Sequence, residues 1–183
     1  MLPASADQNL ILSGYIGPGQ LPIARRVADR LRMPFVDFDS VLEERGGLSG
    51  EEMRIRYGEA RLKLLESELV DEVALYRSTV IHISGRTLTQ SAHFARLSAT
   101  GPVICVVASL DTVLQRLHLA LGARYHNPRE REIALGTLRR EWAIRKKEGV
   151  AEVDTSYLSE DQMVEAIAAR WRELSGVIDW RRG

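Results

Sequence analysis

The chain has 183 residues, a length that suits one domain, and its 45% hydrophobic and 27% charged residues are ordinary for a water-soluble globular protein. Its 25 basic and 25 acidic side chains balance, so no net charge favours binding to nucleic acid or to an anionic membrane. With a single cysteine, no secretory signal and no apolar run near the ~20 residues of a membrane helix, we expect one cytoplasmic domain over 1–183, with a short flexible N-terminus over 1–8.

Short apolar runs alternate along the chain with segments of helical periodicity. The runs that predict buried strands are 9–13, 33–37, 79–83, 102–107 and 151–154. The segments that predict helices are 22–31, 49–76, 111–121, 129–147 and 159–174. A further helix, capped by Asp39 or Ser40, is expected after the second strand. Strands that alternate with helices are typical of parallel βαβ units. We therefore predict a three-layer α/β/α sandwich around a five-stranded parallel sheet.

The first predicted strand ends in the glycine-rich sequence Gly-Tyr-Ile-Gly-Pro-Gly-Gln-Leu. Gly14 and Gly19 have the spacing of a phosphate-binding P-loop, and Gly17 adds flexibility between them. The P-loop pattern continues with Lys and then Ser or Thr, but these positions hold Gln20 and Leu21. Lys would bring positive charge to the β- and γ-phosphates, and the hydroxyl would hold Mg²⁺. The loop thus predicts a phosphate cradle in which a neutral amide and an isobutyl group replace both of these side chains.

Polar residues also follow the second and third predicted strands. Asp37 and Asp39 close the second strand, and Gly85 and Arg86 follow the third. Right-handed crossovers place the carboxyl ends of parallel strands at one edge of the sheet, where ligands bind. We therefore predict that these residues share one cleft with the glycine loop. The alternative for the two acids is helix capping, and for the arginine it is a solvent-exposed position at a turn.

The order of these pieces resembles the shikimate kinase family, small P-loop kinases of the nucleoside monophosphate kinase type. The similarity extends over 9–174 and is best over 9–39. Residues 58–66 are similar to the family's Gly-Glu-x-x-Phe-Arg-x-x-Glu, and residues 84–86 are similar to its Gly-Gly-Gly turn. The resemblance implies a P-loop kinase fold, ATP with Mg²⁺ as cofactors and a small-molecule substrate.

The resemblance also implies roles for residues on the substrate side. Asp37 matches an acid near Mg²⁺ and the transferred phosphoryl group, which makes it the catalytic candidate, and Asp39 matches an acid that binds the substrate hydroxyls. Lys63 stands where the family has an Arg that grips the substrate carboxylate. Gly85 and Arg86 stand in the glycine turn that the substrate approaches. These last four residues are therefore the substrate-binding candidates.

On the nucleotide side, the resemblance implies phosphate contacts from a lid and from the glycine loop. The loop candidates are Gly14, Gly17, Gly19 and Gln20. The lid is expected near 121–132, where Arg124 is the candidate cation. A second carboxylate-holding Arg of the family corresponds, by counting along the chain, to Ala143, with Arg140 and Arg145 nearby.

The four histidines, His82, His93, His118 and His126, have no metal-ligand spacing and no acid partner that the sequence assigns. We predict structural or exposed roles for them and no metal site.

Three hypotheses of function stay open. The first is a shikimate-kinase-like protein with a degenerate Walker A loop, impaired or non-catalytic, that binds a nucleotide or another small anion weakly. The second is an active ATP-dependent small-molecule kinase in which Arg86, Arg124 or another cation replaces the P-loop Lys. The third is a structural or interaction protein whose cleft is vestigial. In the first two the partner is a small molecule or nucleotide, and none of the three involves nucleic acid or a membrane.

Overall fold

The computed structural model of the chain describes residues 7–17 and 19–176. The predicted flexible N-terminus therefore lies outside the described residues except for Asp7 and Gln8, of which Gln8 is buried. Pro18 of the glycine loop also lies outside them.

A five-stranded parallel sheet forms the centre of the fold, in the strand order β2-β3-β1-β4-β5. The strands are β1 (Leu10–Gly14), β2 (Phe35–Asp37), β3 (Val80–His82), β4 (Val103–Val107) and β5 (Val150–Asp154). In the pairing register, Asp37 lies opposite His82 where β2 and β3 end. The predicted three-layer sandwich and its five-stranded parallel sheet are confirmed.

Helices cover the two faces of the sheet. They are α1 (Gln20–Leu31), α2 (Phe38–Gly46), α3 (Gly50–Tyr57), α4 (Glu59–Val73), α5 (Gly85–Leu88), α6 (Ser91–Ser98), α7 (Leu110–Leu121), α8 (Pro128–Trp142) and α9 (Glu160–Ser175). Short 3-10 helices, Gly122–His126 and Ala143–Lys146, follow α7 and α8. Among the described residues, no helix is both long and apolar enough to cross a membrane.

Several helix boundaries differ from the predicted ones. The predicted helix 49–76 is divided at Gly58, whose φ of 84° and ψ of 162° lie outside the helical region. The prediction that Asp39 or Ser40 caps the second helix is wrong, because the Asp37 side chain accepts the hydrogen bond from the backbone N–H of Ser40. Helices α5 and α6 are missing from the predicted pattern because they are too short to show helical periodicity.

Alternating residues of the central strand pack into two different hydrophobic layers. Leu10 and Leu12 of β1 pack with buried residues of α1 and α9. Ile11, between them, packs on the other face with buried residues of α2 and α4. Cys105 of β4 shares that second layer, and burial raises the pKa of its thiol to about 12. The single cysteine of the chain is therefore a small buried residue of the core.

Candidate functional site

The glycine loop between β1 and α1 has a backbone that requires glycine. The φ angles are 101° at Gly14, 111° at Gly17 and 91° at Gly19, a region that other residues rarely adopt. A Cβ at Gly14 would also lie 2.3 Å from the carbonyl oxygen of Val106 in β4. The loop is therefore packed closely on the neighbouring strand and leads directly into α1 at Gln20.

The side chain of Gln20 folds back across this loop. Its Nε2 donates a hydrogen bond of 2.8 Å to the carbonyl oxygen of Gly14, and its Oε1 accepts one of 3.3 Å from the backbone N–H of Ile16. One backbone acceptor and one backbone donor thus fix the orientation of the amide. An N–H of a glycine loop is a group that would otherwise bind an anion, and in this loop the N–H of Ile16 already has an acceptor.

Gln20 also connects the loop to His82 at the end of β3. The distance between Gln20 Nε2 and His82 Nε2 is 3.2 Å. Because the amide nitrogen can only donate, His82 Nε2 must accept, and the ring proton is then on Nδ1. That nitrogen donates to Asp37 Oδ1 at 2.7 Å. A hydrogen-bonded chain therefore connects α1, β3 and β2 at one edge of the sheet.

His82 has an acid partner, Asp37, that the sequence alone did not assign. Asp37 ends β2 and His82 ends β3, and the two residues lie side by side in the register of these adjacent strands. The contact could therefore have been predicted once the strand order was known. Burial alone would raise the pKa of Asp37, but hydrogen bonds from His82 and Ser40 outweigh it and lower this pKa below its ordinary value. Asp37 also caps α2 through Ser40, so the capping role proposed as an alternative is observed for this acid.

A cavity of about 300 Å³ lies beside this hydrogen-bonded chain. The charged and hydroxyl side chains that line it come from α2, α3, α8 and the turn that leads from β3 into α5. Asp39, Ser49, Arg54, Ser84, Arg86, Arg140 and Glu141 are among them. Such a mixture of carboxylates, hydroxyls and guanidinium groups suits a small polar ligand.

Asp39 reaches the cavity with an unusual carboxyl group. The residue is accessible to solvent as a whole, yet surrounding protein atoms desolvate the carboxyl and raise its pKa to about 6, and the charges of Asp37 and Glu141 add to this rise. The charge of Arg86 opposes it. The carboxyl therefore takes up a proton far more readily than an isolated Asp does, which is a property of acids and bases at functional sites.

Arg86 reaches the cavity from the turn after β3. Its guanidinium lies 3.2 Å from the carboxylate of Glu66, which is only 1% exposed. Thr87 Oγ1 and Gln90 Nε2 also donate to that carboxylate. The buried carboxylate of Glu66 therefore fixes the direction of the Arg86 side chain. The alternative of an unpaired, solvent-exposed arginine at a turn does not describe this residue.

Glu141 of α8 covers the glycine turn. Its Oε1 accepts a hydrogen bond of 2.7 Å from Ser84 Oγ, and its Oε2 accepts one of 2.6 Å from the backbone N–H of Gly85. A Cβ at Gly85 would lie 2.1 Å from the Glu141 carbonyl oxygen, so the turn and the helix are in direct backbone contact. The sequence analysis missed Glu141, because no local pattern relates it to a turn 56 residues earlier.

Other candidates lie away from this cavity. Lys63 lies on an exposed part of α4, with its Nζ 4.0 Å from Glu59. Arg124 lies in the 3-10 helix after α7 and pairs with Glu130 at 3.2 Å. Ala143 begins the 3-10 helix after α8, and the cavity is lined instead by Arg140 and Glu141. Among the residues at 7–17 and 19–176, no group of three or more His, Cys, Asp or Glu could hold a metal ion.

Comparison with known proteins gives a consistent answer. The family model described as shikimate kinase matches residues 17–172. A shikimate kinase of Thermodesulfovibrio yellowstonii is 27% identical over 92% of this chain and 97% of its own length. A shikimate kinase structure from Bacteroides thetaiotaomicron has a TM-score of 0.74 at 22% identity and covers 94% of this chain and 100% of its own. A shikimate kinase from Acinetobacter baumannii, solved in complex with shikimate, has a TM-score of 0.72 at 21% identity, with 94% and 96% covered. Since the family model spans most of its length, the chain belongs to the shikimate kinase family.

Proposed function

We propose that this chain is a shikimate-kinase-like protein with a degenerate Walker A loop, in which phosphoryl transfer is impaired or absent. The loop supports at most weak binding of a nucleotide or another small anion. The adjoining cavity takes a small hydroxylated molecule, a view supported by its polar lining and by the shikimate bound to the A. baumannii relative.

The observation that carries the proposal is the position of the Gln20 amide. It stands in place of the P-loop Lys, hydrogen-bonds both Gly14 and Ile16 of the loop, and brings no charge. A charge-assisted hydrogen bond contributes about 1.5–3 kcal/mol, and fixed positive charge matters most in the transition state. The loop therefore lacks the positively charged side chain that phosphoryl transfer most needs. The neutral amide of Gln20 forms hydrogen bonds with the loop backbone instead.

The residues present do not fit Mg²⁺ as a P-loop kinase would hold it. Mg²⁺ requires oxygen ligands in near-octahedral geometry, and Leu21 offers none where the pattern calls for a hydroxyl. Asp37 has carboxylate oxygens, but Oδ1 accepts from His82 and Oδ2 accepts from the backbone and hydroxyl of Ser40.

One observation favours the second candidate, an active kinase that uses another cation. Arg116 of α7 donates a hydrogen bond of 2.8 Å to the carbonyl oxygen of Ile16 and another of 2.8 Å to that of Thr155. Its side chain packs against Gly17. These acceptors are neutral, so the guanidinium brings positive charge to the outside of the loop, where the charge of Asp154 also acts on it. Arg86 and Arg124, by contrast, pair with Glu66 and Glu130.

A set of loop variants tests the proposal. In Gln20→Lys with Leu21→Ser, the restored charge and hydroxyl should increase ATP affinity by about 10-fold or more, since a charge-assisted contact of about 1.5–3 kcal/mol is regained. Gln20→Ala is the matched control, because it frees the N–H of Ile16 without adding charge. Isothermal titration with ATP and Mg²⁺ measures the affinity, and a coupled assay with shikimate as acceptor measures phosphoryl transfer.

The outcomes separate the hypotheses. Wild-type turnover within the ordinary kinase range of about 1–100 s⁻¹ would rule out the impaired loop and support the second candidate, in which case Arg116→Leu should abolish that turnover. If the double variant gains no affinity over Gln20→Ala, the backbone itself is no phosphate cradle. The vestigial cleft is then the remaining hypothesis.

A further inference from the structure

Glu141 occupies the hydrogen-bond donors that the glycine turn would otherwise offer to a ligand. Both of its carboxylate oxygens are engaged, one by Ser84 Oγ and one by the backbone N–H of Gly85. These two partners are neutral, so the negative charge of Glu141 is not cancelled by them. The turn therefore presents a fixed carboxylate to the cavity instead of free N–H groups.

The described contacts of the arginines around the cavity go to groups other than Glu141. Arg86 is directed onto the buried carboxylate of Glu66 at 3.2 Å, and Arg54 forms an ion pair with Glu51 on its own helix. Arg140, the neighbour of Glu141 in α8, is exposed, and its Nη2 lies 3.4 Å from Thr137 Oγ1. The cations therefore lie at the rim or face other acids.

The charge of Glu141 affects three groups on different elements. After burial, the charge of Glu141 is among the causes that raise the pKa values of Tyr15, Asp39 and Cys105. Asp39 lines the same cavity as Glu141. Asp39 and Glu141 line one cavity in which Arg54 and Arg86 are each paired with another acid, and this arrangement disfavours a further negative charge and favours hydrogen-bond donors with positive charge.

We propose that Glu141 determines ligand specificity at this cavity, which takes a small hydroxylated ligand bearing an ammonium group and rejects the equivalent carboxylate. The ligand hydroxyls and ammonium group donate to Asp39 and Glu141, and the cavity of about 300 Å³ limits the ligand to the size of a single substituted ring. The inference rests on the proposed function only in that the cavity binds a small hydroxylated molecule.

Three matched probes test this specificity. They are shikimate, its carboxamide, and the analogue in which an aminomethyl group replaces the carboxylate, so that only the charge of one substituent changes. Isothermal titration near neutral pH, without nucleotide, should give wild-type protein a Kd for the amine about 10-fold or more lower than for shikimate, with the carboxamide between them. In Glu141→Gln this preference should fall to within about 2-fold, because Gln retains the side-chain length without the charge.

Glu132→Gln is the control, since Glu132 is an exposed acid of the same helix outside the cavity lining; it should keep the wild-type preference. The proposal is overturned if wild-type protein binds shikimate as tightly as the amine, if Glu141→Gln keeps the preference, or if none of the three probes binds at millimolar concentration. The wild-type comparison decides even if a variant fails to fold. Because no nucleotide is present, a failure here is distinct from a failure of the loop hypothesis.

Discussion

Asp37 and Asp39 are two residues apart, yet their surroundings shift their proton affinities in opposite directions. Hydrogen bonds from His82 and Ser40 overcome burial and lower the pKa of Asp37, whereas burial, with the charge of Asp37 second, raises that of Asp39 to about 6. The ordinary pKa of an Asp carboxyl is 3.8. When folding raises this pKa, protonation of the carboxyl stabilises the folded state, and the stabilisation is complete at pH values below 3.8. The contribution is lost as pH rises through about 6. For Asp37 the pKa shift has the opposite sign, so its contribution to stability is present above the ordinary pKa of Asp and is lost only as pH falls below that value.

This difference predicts how Asp39→Asn changes the pH dependence of stability. Near pH 4 the two proteins should have similar free energies of unfolding, because Asp39 is then largely neutral in the folded state. As pH rises toward about 7, the variant should become the more stable one relative to wild type, since Asn never acquires the unfavourable charge. Urea unfolding at several pH values between these limits measures the change.

Glu44→Gln serves as the control for that series, because Glu44 is an exposed acid on the same helix and should show no such trend. A stability difference between Asp39→Asn and wild type that stays constant from about pH 4 to about pH 7 would show that the folded environment does not perturb this carboxyl.

The site could be predicted from the sequence only as far as local pattern extends. Gly14, Asp37 and Gly85 are identifiable because each follows a buried apolar run, and parallel strands bring such positions together. The partners of these residues were not identifiable. Asp37 and His82 are 45 residues apart, and Ser84 and Glu141 are 57 apart. Such pairs depend on strand order and helix packing, which periodicity does not encode.

At the scale of elements, Gly58 determines where α3 ends and α4 begins. The surrounding Leu, Glu and Arg residues favour one continuous helix, which is why periodicity predicts a single segment over 49–76. At Gly58 the backbone has φ 84° and ψ 162°, a combination essentially confined to glycine. One residue without a Cβ therefore overrides the helical preference of its neighbours.

Replacing this glycine tests that explanation. Gly58→Ala should lower the free energy of unfolding by about 1–3 kcal/mol, the usual cost of such a backbone conformation. Gly47→Ala is a matched control, because Gly47 ends α2 at φ 70° and ψ 3°, a left-handed conformation that costs about 1–2 kcal/mol for other residues. A Cβ at either position meets nothing within 4 Å, so chemical denaturation compares the two backbones alone. A stabilising Gly58→Ala would mean that the two helices can join without cost.

For the whole molecule, the sheet was predictable because its strands are short buried runs with turn signals between them. Residues of β1 and β4 are buried along their full length, and such runs are typical of parallel sheets covered on both faces. The strand order brings β2, β3 and β1 side by side. That order joins three distant segments into one hydrogen-bonded chain through Gln20, His82 and Asp37.

This chain predicts energetic coupling between two residues that do not hydrogen-bond each other. Gln20 and Asp37 are connected through the His82 ring, which accepts from one and donates to the other. In a double-mutant cycle of Gln20→Ala and Asp37→Ala, the interaction free energy of unfolding should be about 0.5–1.5 kcal/mol, as for members of one network. The same cycle in a His82→Ala background should be additive within about 0.5 kcal/mol, because the connecting ring is gone. If the cycle is additive with His82 present, the three side chains act independently. Coupling that survives without His82 would instead place the connection in the backbone of the loop.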